Sequence, residues 1–408
     1  MQEANVDFVV GAQYGDEGKG MVAKLLADKA EMNGNPYVWT ARVGAQNAEH
    51  RFVHDACDLC ARILPSASAF RNTLSHNPIA AVLGAGHCFR PEQLMLEATH
   101  LGVDQNMIWV DELAMWLKES HAIDNRERGD KRGTTGWGIG AAMAEKVARH
   151  PNTLLMRDYD WGAFKPQIAK CATLELLQHK GLFESSQGAM LSLNHGRYPW
   201  STAKDVSVPA MCAELGISTK RVNKIVGIAR LVMMRVSGPS GPTGGEEVSY
   251  DDVENRTGLR FPHHKRIQGD SMKWSSTVGK SGGATDEERL FDISMEELHY
   301  SHLMNGYDEL VITFTDMHRF GNYRKTSWDD LHEDTRRKIL AIQSEIKVPV
   351  TLIRTGQGEH DNIWLPDGAF NGMRHTWPGA EYSSFNYPAP LDMTNISNKV
   401  NKVSTESV

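Results

Sequence analysis

Apolar residues fall into short runs separated by stretches with helical spacing. Asp7–Val10 is a compact apolar run that stops at Gly11. Gly11–Gly20 is rich in glycine, and Met21–Ala30 then sets Val22, Leu25 and Leu26 at helical intervals. The pattern predicts strand, glycine-rich loop and helix, in that order. Further strands are predicted at Tyr37–Val43, Ala80–Leu83, Met107–Val110, Gly181–Glu184, Lys224–Val236, Glu309–Phe314 and Val348–Ile353. Helices are predicted at Pro91–Leu101, with proline near its start, at Ala141–Arg149 and at Asp329–Lys347. Asn125–Gly140 reads as a long polar loop and Ser237–Gly245 as a breaker cluster. Strands alternating with helices imply an α/β fold with a central, largely parallel sheet flanked by helices. One large domain over 1–382 is expected, with a polar tail from 383 to 408.

Composition narrows the partners. With 44 basic and 51 acidic side chains, the 408-residue chain carries a formal charge of −7. Net acidity argues against direct nucleic-acid binding, which favours a basic face. No apolar run approaches the roughly 20 residues of a membrane span. The opening Met1–Asn5 lacks the order of a signal peptide, so the expected location is cytoplasmic. The five cysteines read as reduced thiols. Cys57 and Cys60, near His54, His87 and Cys88, have zinc-compatible spacing, but no second pair follows, and a turn with two ordinary thiols is the favoured reading.

The string Gly11–Gly20 departs from the usual phosphate-loop pattern, because Gln13 stands where a glycine is usual and Gly20 follows Lys19 in place of a hydroxyl residue. The physics still holds. Gly11, Gly15, Gly18 and Gly20 let backbone N–H groups converge on phosphate, the helix adds its positive end, and Lys19 supplies a point charge. Asp16 and Glu17 make sense in such a loop if one binds a metal ion or acts as a base. The bland alternative is a glycine-rich turn with solvated charges.

The same string closely resembles the loop of the adenylosuccinate synthetase family, which joins aspartate to a 6-oxopurine nucleotide using a nucleoside triphosphate. Asn47–His50 resembles the family's Asn-Ala-Gly-His, with Glu49 in place of glycine. Arg62–Ser66 resembles His-Leu-Ile-Pro-Ser, Gly133–Gly140 with Glu145–Arg149 the nucleotide-phosphate loop and its helix, Gln187–Gly188 and His195–Thr202 the base-recognition segment, and Arg235–Val236 the sugar-contacting pair. The matches run in order through residues 6–240 and nearly vanish over Glu246–Lys273, where His263–Arg266 reads as a solvated basic patch.

The resemblance implies a P-loop-NTPase-like fold, magnesium as cofactor and a homodimer. It implies Asp16 as general base and magnesium ligand, His50 as general acid and hydrogen-bond donor, and Lys19 as stabiliser of the moving phosphoryl group. Gly15, Glu17, Gly18, Lys19 and Gly20 would cradle the triphosphate, with Phe314 and Asp316 at its base. Asn47, Gly133, Thr134, Thr135, Gln187, Thr202 and Val236 would hold the acceptor nucleotide, joined by Arg149 reaching from a neighbouring subunit. A backbone carbonyl at Glu49 would reach magnesium, although an added carboxylate beside phosphates is a departure. The best match to the aspartate loop offers Thr277, Lys280, Thr285 and Arg289, poorer in arginine than the family's.

The departures concern substrate choice. Phe314 stands where the family's guanine-reading segment has a lysine. Leu191–Asn194 is similar to the viral branch, whose members act on dGMP with ATP or dATP to make the precursor of 2-aminoadenine for modified phage DNA. The leading expectation is therefore a ligase converting dGMP, L-aspartate and ATP or dATP to 2-amino-2′-deoxy-N6-succinyladenylate, in a host cytoplasm if viral. Against this, some viral members replace the loop aspartate with serine, and Asp16 is kept. An ordinary synthetase using IMP and GTP is the second expectation. A nucleotide-binding regulator without ligase activity, motivated by Glu49 and by the acidic Asp286–Glu288, is the third.

Overall fold

A computed structural model of the chain describes residues 4–54, 57–69, 77–127, 136–171, 174–235, 240–258 and 288–366. The strands are β1 (Val6–Gly11), β2 (Trp39–Val43), β3 (His50–His54), β4 (Cys57–Ala61), β5 (Ala80–Leu83), β6 (Cys88–Phe89), β7 (Ile108–Asp111), β8 (Met115–Trp116), β9 (Gln167–Ala169), β10 (Gly181–Gly188), β11 (Val222–Arg230), β12 (Val232–Arg235), β13 (Glu247–Val248), β14 (Arg289–Asp292), β15 (Glu309–Thr313), β16 (Val350–Arg354) and β17 (Asn362–Trp364). Ten of them form one sheet in the order β17-β16-β15-β11-β1-β10-β2-β5-β7-β9. Every pairing in it is parallel except β16 with β17. The expected α/β class with a mostly parallel sheet is the class observed.

Alternation along β1 explains why the sheet is covered on both faces. Phe8 and Val10 point into one apolar layer with Trp39, Phe183 and Leu310, while Val9 points into the other with Met21, Val22 and Leu182. Phe8 stacks on Phe183 at 4.8 Å between ring centres. Parallel strands buried on both faces need this double cover, and each such side chain removed from water contributes roughly 1.5–3 kcal/mol.

Helix α1 (Lys19–Met32) follows the glycine-rich loop. Helix α2 (Pro91–His100) starts on its proline as expected. Helix α3 (Glu119–Glu127) takes up the start of the predicted polar loop, and α4 (Ile139–Val147) begins slightly before its predicted start. The late helix begins at Glu333, after a short 3-10 turn at Trp328–Asp330, because His332 caps it by accepting the Asp334 N–H at 3.2 Å.

The largest correction concerns Lys224–Val236. This apolar run is two strands, not one. β11 lies in the main sheet, whereas β12 pairs antiparallel with β14 in a separate three-stranded sheet, β12-β14-β13. The chain breaks direction at Leu231, which is fully buried, so hydrophobicity carries no mark of the change of sheet. Cys57 and Cys60 lie on β4 rather than on a turn, in an antiparallel hairpin with β3. The expected tail 383–408 lies outside the described residues, as do Gly133, Thr134, Thr135, Val236, Thr277, Lys280 and Thr285.

Candidate functional site

The loop between β1 and α1 lies at the carboxyl ends of the central strands, where ligands bind in open parallel sheets. Three strands clamp it. Gln13 Nε2 donates to the Arg230 carbonyl at 3.0 Å and its Oε1 accepts the Arg230 N–H at 2.9 Å, fastening the loop to β11. The Met190 N–H reaches the Gln13 carbonyl at 2.8 Å, just past β10. Thr313 Oγ1 at the end of β15 donates to the Glu17 carbonyl at 2.9 Å. Gly15 (φ 99°), Asp16 (φ 56°) and Gly18 (φ 85°) are all left-handed. That conformation costs Asp16 on the order of 1–3 kcal/mol, which the surrounding clamps sustain.

Lys19 and Glu17 form a buried ion pair, Nζ to Oε2 at 2.6 Å. Glu17 Oε1 also accepts the backbone N–H of Gly15 at 2.8 Å and of Gln13 at 3.1 Å. Burial alone would raise this carboxyl, but Lys19 and the Gly15 N–H outweigh it and hold it below the usual range. Asp16 sits at the loop tip with solvent at its outer edge. Its carboxyl is raised, chiefly by desolvation, with Arg230 and Lys19 pulling it down and Glu17 and Glu49 pushing it up. A carboxylate whose pKa is raised is a stronger base, which suits it to general-base work. Its oxygens are also hard donors of the kind magnesium takes, so the residues present fit that ion.

His50 begins β3 and is buried beside α1. A Cβ added at Gly20 would lie 2.9 Å from the His50 Cβ and 2.7 Å from Ser66 Oγ, so only glycine admits this approach. His50 Nδ1 is hydrogen-bonded to the fully buried Glu184, and Nε2 lies 3.2 Å from the Ser186 carbonyl. Burial and the nearby Arg42 guanidinium push the imidazole down to about 4, against the pull of Glu184. The neighbouring Glu49 turns its carboxylate to Arg62 and to Arg51 Nε at 2.9 Å.

On the acceptor side, Gln187 is buried at the end of β10, and Asn47 Oδ1 is buried without a hydrogen-bond partner among the described residues. Arg42 ties these segments together, donating to Ser186 Oγ at 3.0 Å and the Ala48 carbonyl at 2.8 Å. The Thr202 N–H bonds the Leu191 carbonyl at 2.8 Å. Arg149 is exposed just past α4 with φ 54°. Arg289 is engaged by Glu247 in a two-pronged pair at 2.8 and 2.5 Å and by the Gly241 carbonyl at 2.8 Å.

At the other rim, Phe314 (φ 53°) presents its ring to the Arg230 guanidinium at 3.8 Å, and an added Gly18 Cβ would lie 3.6 Å from that ring. Asp316 is pushed up to about 6 by burial. Sequence reasoning missed Arg230, Glu184 and Glu288. Arg230 Nη1 donates to the Asp16 carbonyl at 2.9 Å. Glu288 is half-buried, and its carboxyl is raised by burial and by the charge of Asp16. Arg230 and Glu184 come from strands far away in sequence and Glu288 from the residue before β14, and no local motif places any of them beside the loop.

The pattern of the adenylosuccinate synthetase family matches residues 8–175 and 167–323. The adenylosuccinate synthetase of Thermococcus sibiricus is 29% identical over 361 residues, covering 86% of this chain and 95% of that protein. The N6-succino-2-amino-2'-deoxyadenylate synthase of Vibrio phage phiVC8 is 32% identical over 251 residues, covering 58% of this chain and 70% of the phage protein. The structure of the cyanophage S-2L succinoaminodeoxyadenylate synthetase, bound to dGMP and dATP, superposes with a TM-score of 0.69 at 25% identity, covering 90% of this chain and 97% of that one. Among the described residues no helix is long and apolar enough to cross a membrane.

Proposed function

Because the chain belongs to the adenylosuccinate synthetase family, joining aspartate to a purine nucleotide, we propose that its acceptor is dGMP and its energy donor ATP or dATP. The product is then 2-amino-2′-deoxy-N6-succinyladenylate, with ADP or dADP and phosphate. The observation that carries this choice is Phe314. An apolar ring, backed by Arg230 at 3.8 Å, occupies the place of the lysine in the family's guanine-reading segment. The ring offers any purine a stacking face but no hydrogen bond that favours guanine. The likeness to two phage enzymes, one solved with dGMP and dATP, supports the same reading.

In this reading Asp16 removes the N1 proton of the purine, and O6 attacks the γ-phosphate to give a 6-phosphoryl nucleotide. The aspartate amine then displaces phosphate at C6. Lys19 and the loop N–H groups stabilise charge on the phosphoryl group as it moves. His50 works at the same group, Gln187 reads the purine edge, and Asn47 and Thr202 hold the 5′-phosphate. Arg149, exposed beyond α4, reaches the phosphate of a neighbouring subunit. Asp16 and the Glu49 carbonyl would hold magnesium, which when bound offsets charge on the triphosphate.

Two observations favour an ordinary IMP- and GTP-using synthetase as the second reading. Asp16 is retained, and the archaeal relative covers more of the chain than the phage one. The test is product identification after incubation with magnesium, carbon-labelled aspartate and either dGMP with ATP or IMP with GTP. Labelled nucleotide from dGMP and ATP supports the first reading. Label only from IMP and GTP supports the second, and no label from either indicates a nucleotide-binding regulator.

A further inference from the structure

Glu184 is a carboxylate with no exposed surface, in the middle of a parallel sheet. Taking a carboxylate out of water costs several kcal/mol, and a fold recovers that only through well-formed contacts. Among the described residues, the hydrogen bonds to its carboxylate come from two, Ser66 and His50. One oxygen takes the Ser66 N–H at 2.7 Å, while the other takes the Ser66 hydroxyl at 2.8 Å and the His50 ring at Nδ1. Burial would raise the carboxyl, but His50, Arg42 and the Ser66 hydroxyl together hold it below the usual range.

His50 needs such a partner. It sits on β3, which lies outside the main sheet and pairs only with β4 among the described residues. The close approach of the hairpin to Gly20 sets where the ring starts, and the buried acceptor on β10 sets its direction. We propose that Glu184 is the positioning residue of His50: bonded at Nδ1, it fixes the plane of the ring and aims Nε2, which lies 3.2 Å from the Ser186 carbonyl, as the edge that meets substrate. The role rests on reading His50 as a group that acts on the substrate. It follows the general pattern in which a buried acceptor on one imidazole nitrogen defines what the other does. Ser66, bound to the same carboxylate and packed against Gly20, keeps the pair aligned with the start of α1.

The test is a double-mutant cycle in the full-length protein, using Glu184→Gln, His50→Asn and both together. Glu184→Gln is expected to lower kcat by on the order of a hundredfold with KM for both nucleotides within about twofold. In the His50→Asn background the same change is expected to have no further effect, since its only route is through the ring. Glu184→Asp, which keeps the carboxylate, is expected to recover part of the loss. A loss that multiplies in the His50→Asn background, or one that appears in KM alone, overturns the proposal.

Nitrogen-15 spectra of the imidazoles give a readout that needs no turnover. Wild-type His50 is expected to show a protonated, strongly hydrogen-bonded Nδ1 that Glu184→Gln abolishes. If that signature is present but His50→Asn retains full turnover, the reading of His50 fails while the ring-positioning contact stands. If turnover is normal and the signature is absent, the positioning role itself is wrong.

Discussion

Glu49 and Arg62 are ion-paired across the β3–β4 hairpin, and both stand where the family pattern has something else, glycine and histidine. The ion pair joins the two departures to each other. Arg62 draws an extra carboxylate away from the phosphate loop, and its guanidinium also lies 5.7 Å from the centre of the Trp137 ring, near the predicted acceptor-phosphate segment. Arg62→Ala should free a negative charge beside the triphosphate and raise its KM by roughly tenfold at low salt, less at high salt. Adding Glu49→Gly should restore it. Steady-state kinetics of the three variants at two ionic strengths check this, and a double variant no better than Arg62→Ala would refute the compensation.

The buried Lys19–Glu17 pair makes a separate statement about stability and rate. Removing one partner of a buried pair costs about 3–5 kcal/mol because the other is left uncompensated. Lys19→Gln should therefore lower Tm as well as kcat. Glu17→Gln combined with Lys19→Gln should recover much of the stability and none of the rate. Thermal melts beside initial rates separate the two effects, and a double variant that melts with the single one would show that the pair carries no such penalty.

Phe314 sets the triphosphate preference in this account. Phe314→Lys should shift the ratio of kcat/KM for GTP over ATP by about tenfold toward GTP, the scale of a single discriminating contact. An unchanged ratio would mean that base choice is made elsewhere on the rim.

His318 allows a pH prediction. It is buried with Nδ1 on Thr335 Oγ1 at 2.9 Å, and burial lowers its pKa to about 3. With the folded value below the unfolded value of about 6.5, the unfolded chain binds the extra proton first. Stability therefore falls as pH drops from about 6.5 toward 3, by on the order of a few kcal/mol from this residue. Denaturant unfolding at pH 7 and pH 5 should show a smaller difference in His318→Asn than in wild type. Equal differences would mean that another group governs the acid sensitivity.

The parts legible in the sequence are those whose cause is local. β1, the glycine-rich loop and α1 announce themselves because apolar period, glycine and lysine follow one another within a single unit. The β11–β12 junction does not, because Leu231 continues an apolar run and the change of sheet falls where the Arg230 backbone bonds the distant Gln13 side chain. The β3–β4 hairpin escaped notice because its strands are short and polar, with Arg51, Cys57 and Asp58 exposed. Helix Met295–Asn305 lacks a clear apolar stripe and is held by a Ser294 cap, the hydroxyl accepting the Glu297 N–H at 3.2 Å. In the candidate site, Asp16, Lys19 and His50 stand in motifs that local sequence displays. Arg230 and Glu184, which hydrogen-bond the Asp16 carbonyl and the His50 ring, could not, since those contacts exist only once β10 and β11 flank β1.

Phosphate release with L-aspartate and magnesium, crossing IMP and dGMP against GTP, ATP and dATP, reads out which pair of nucleotides the site takes. Turnover is expected with dGMP and an adenine nucleotide, and little with IMP and GTP. Turnover confined to IMP and GTP would contradict it and make the chain an ordinary purine-synthesis ligase in which Phe314 does not decide the substrate.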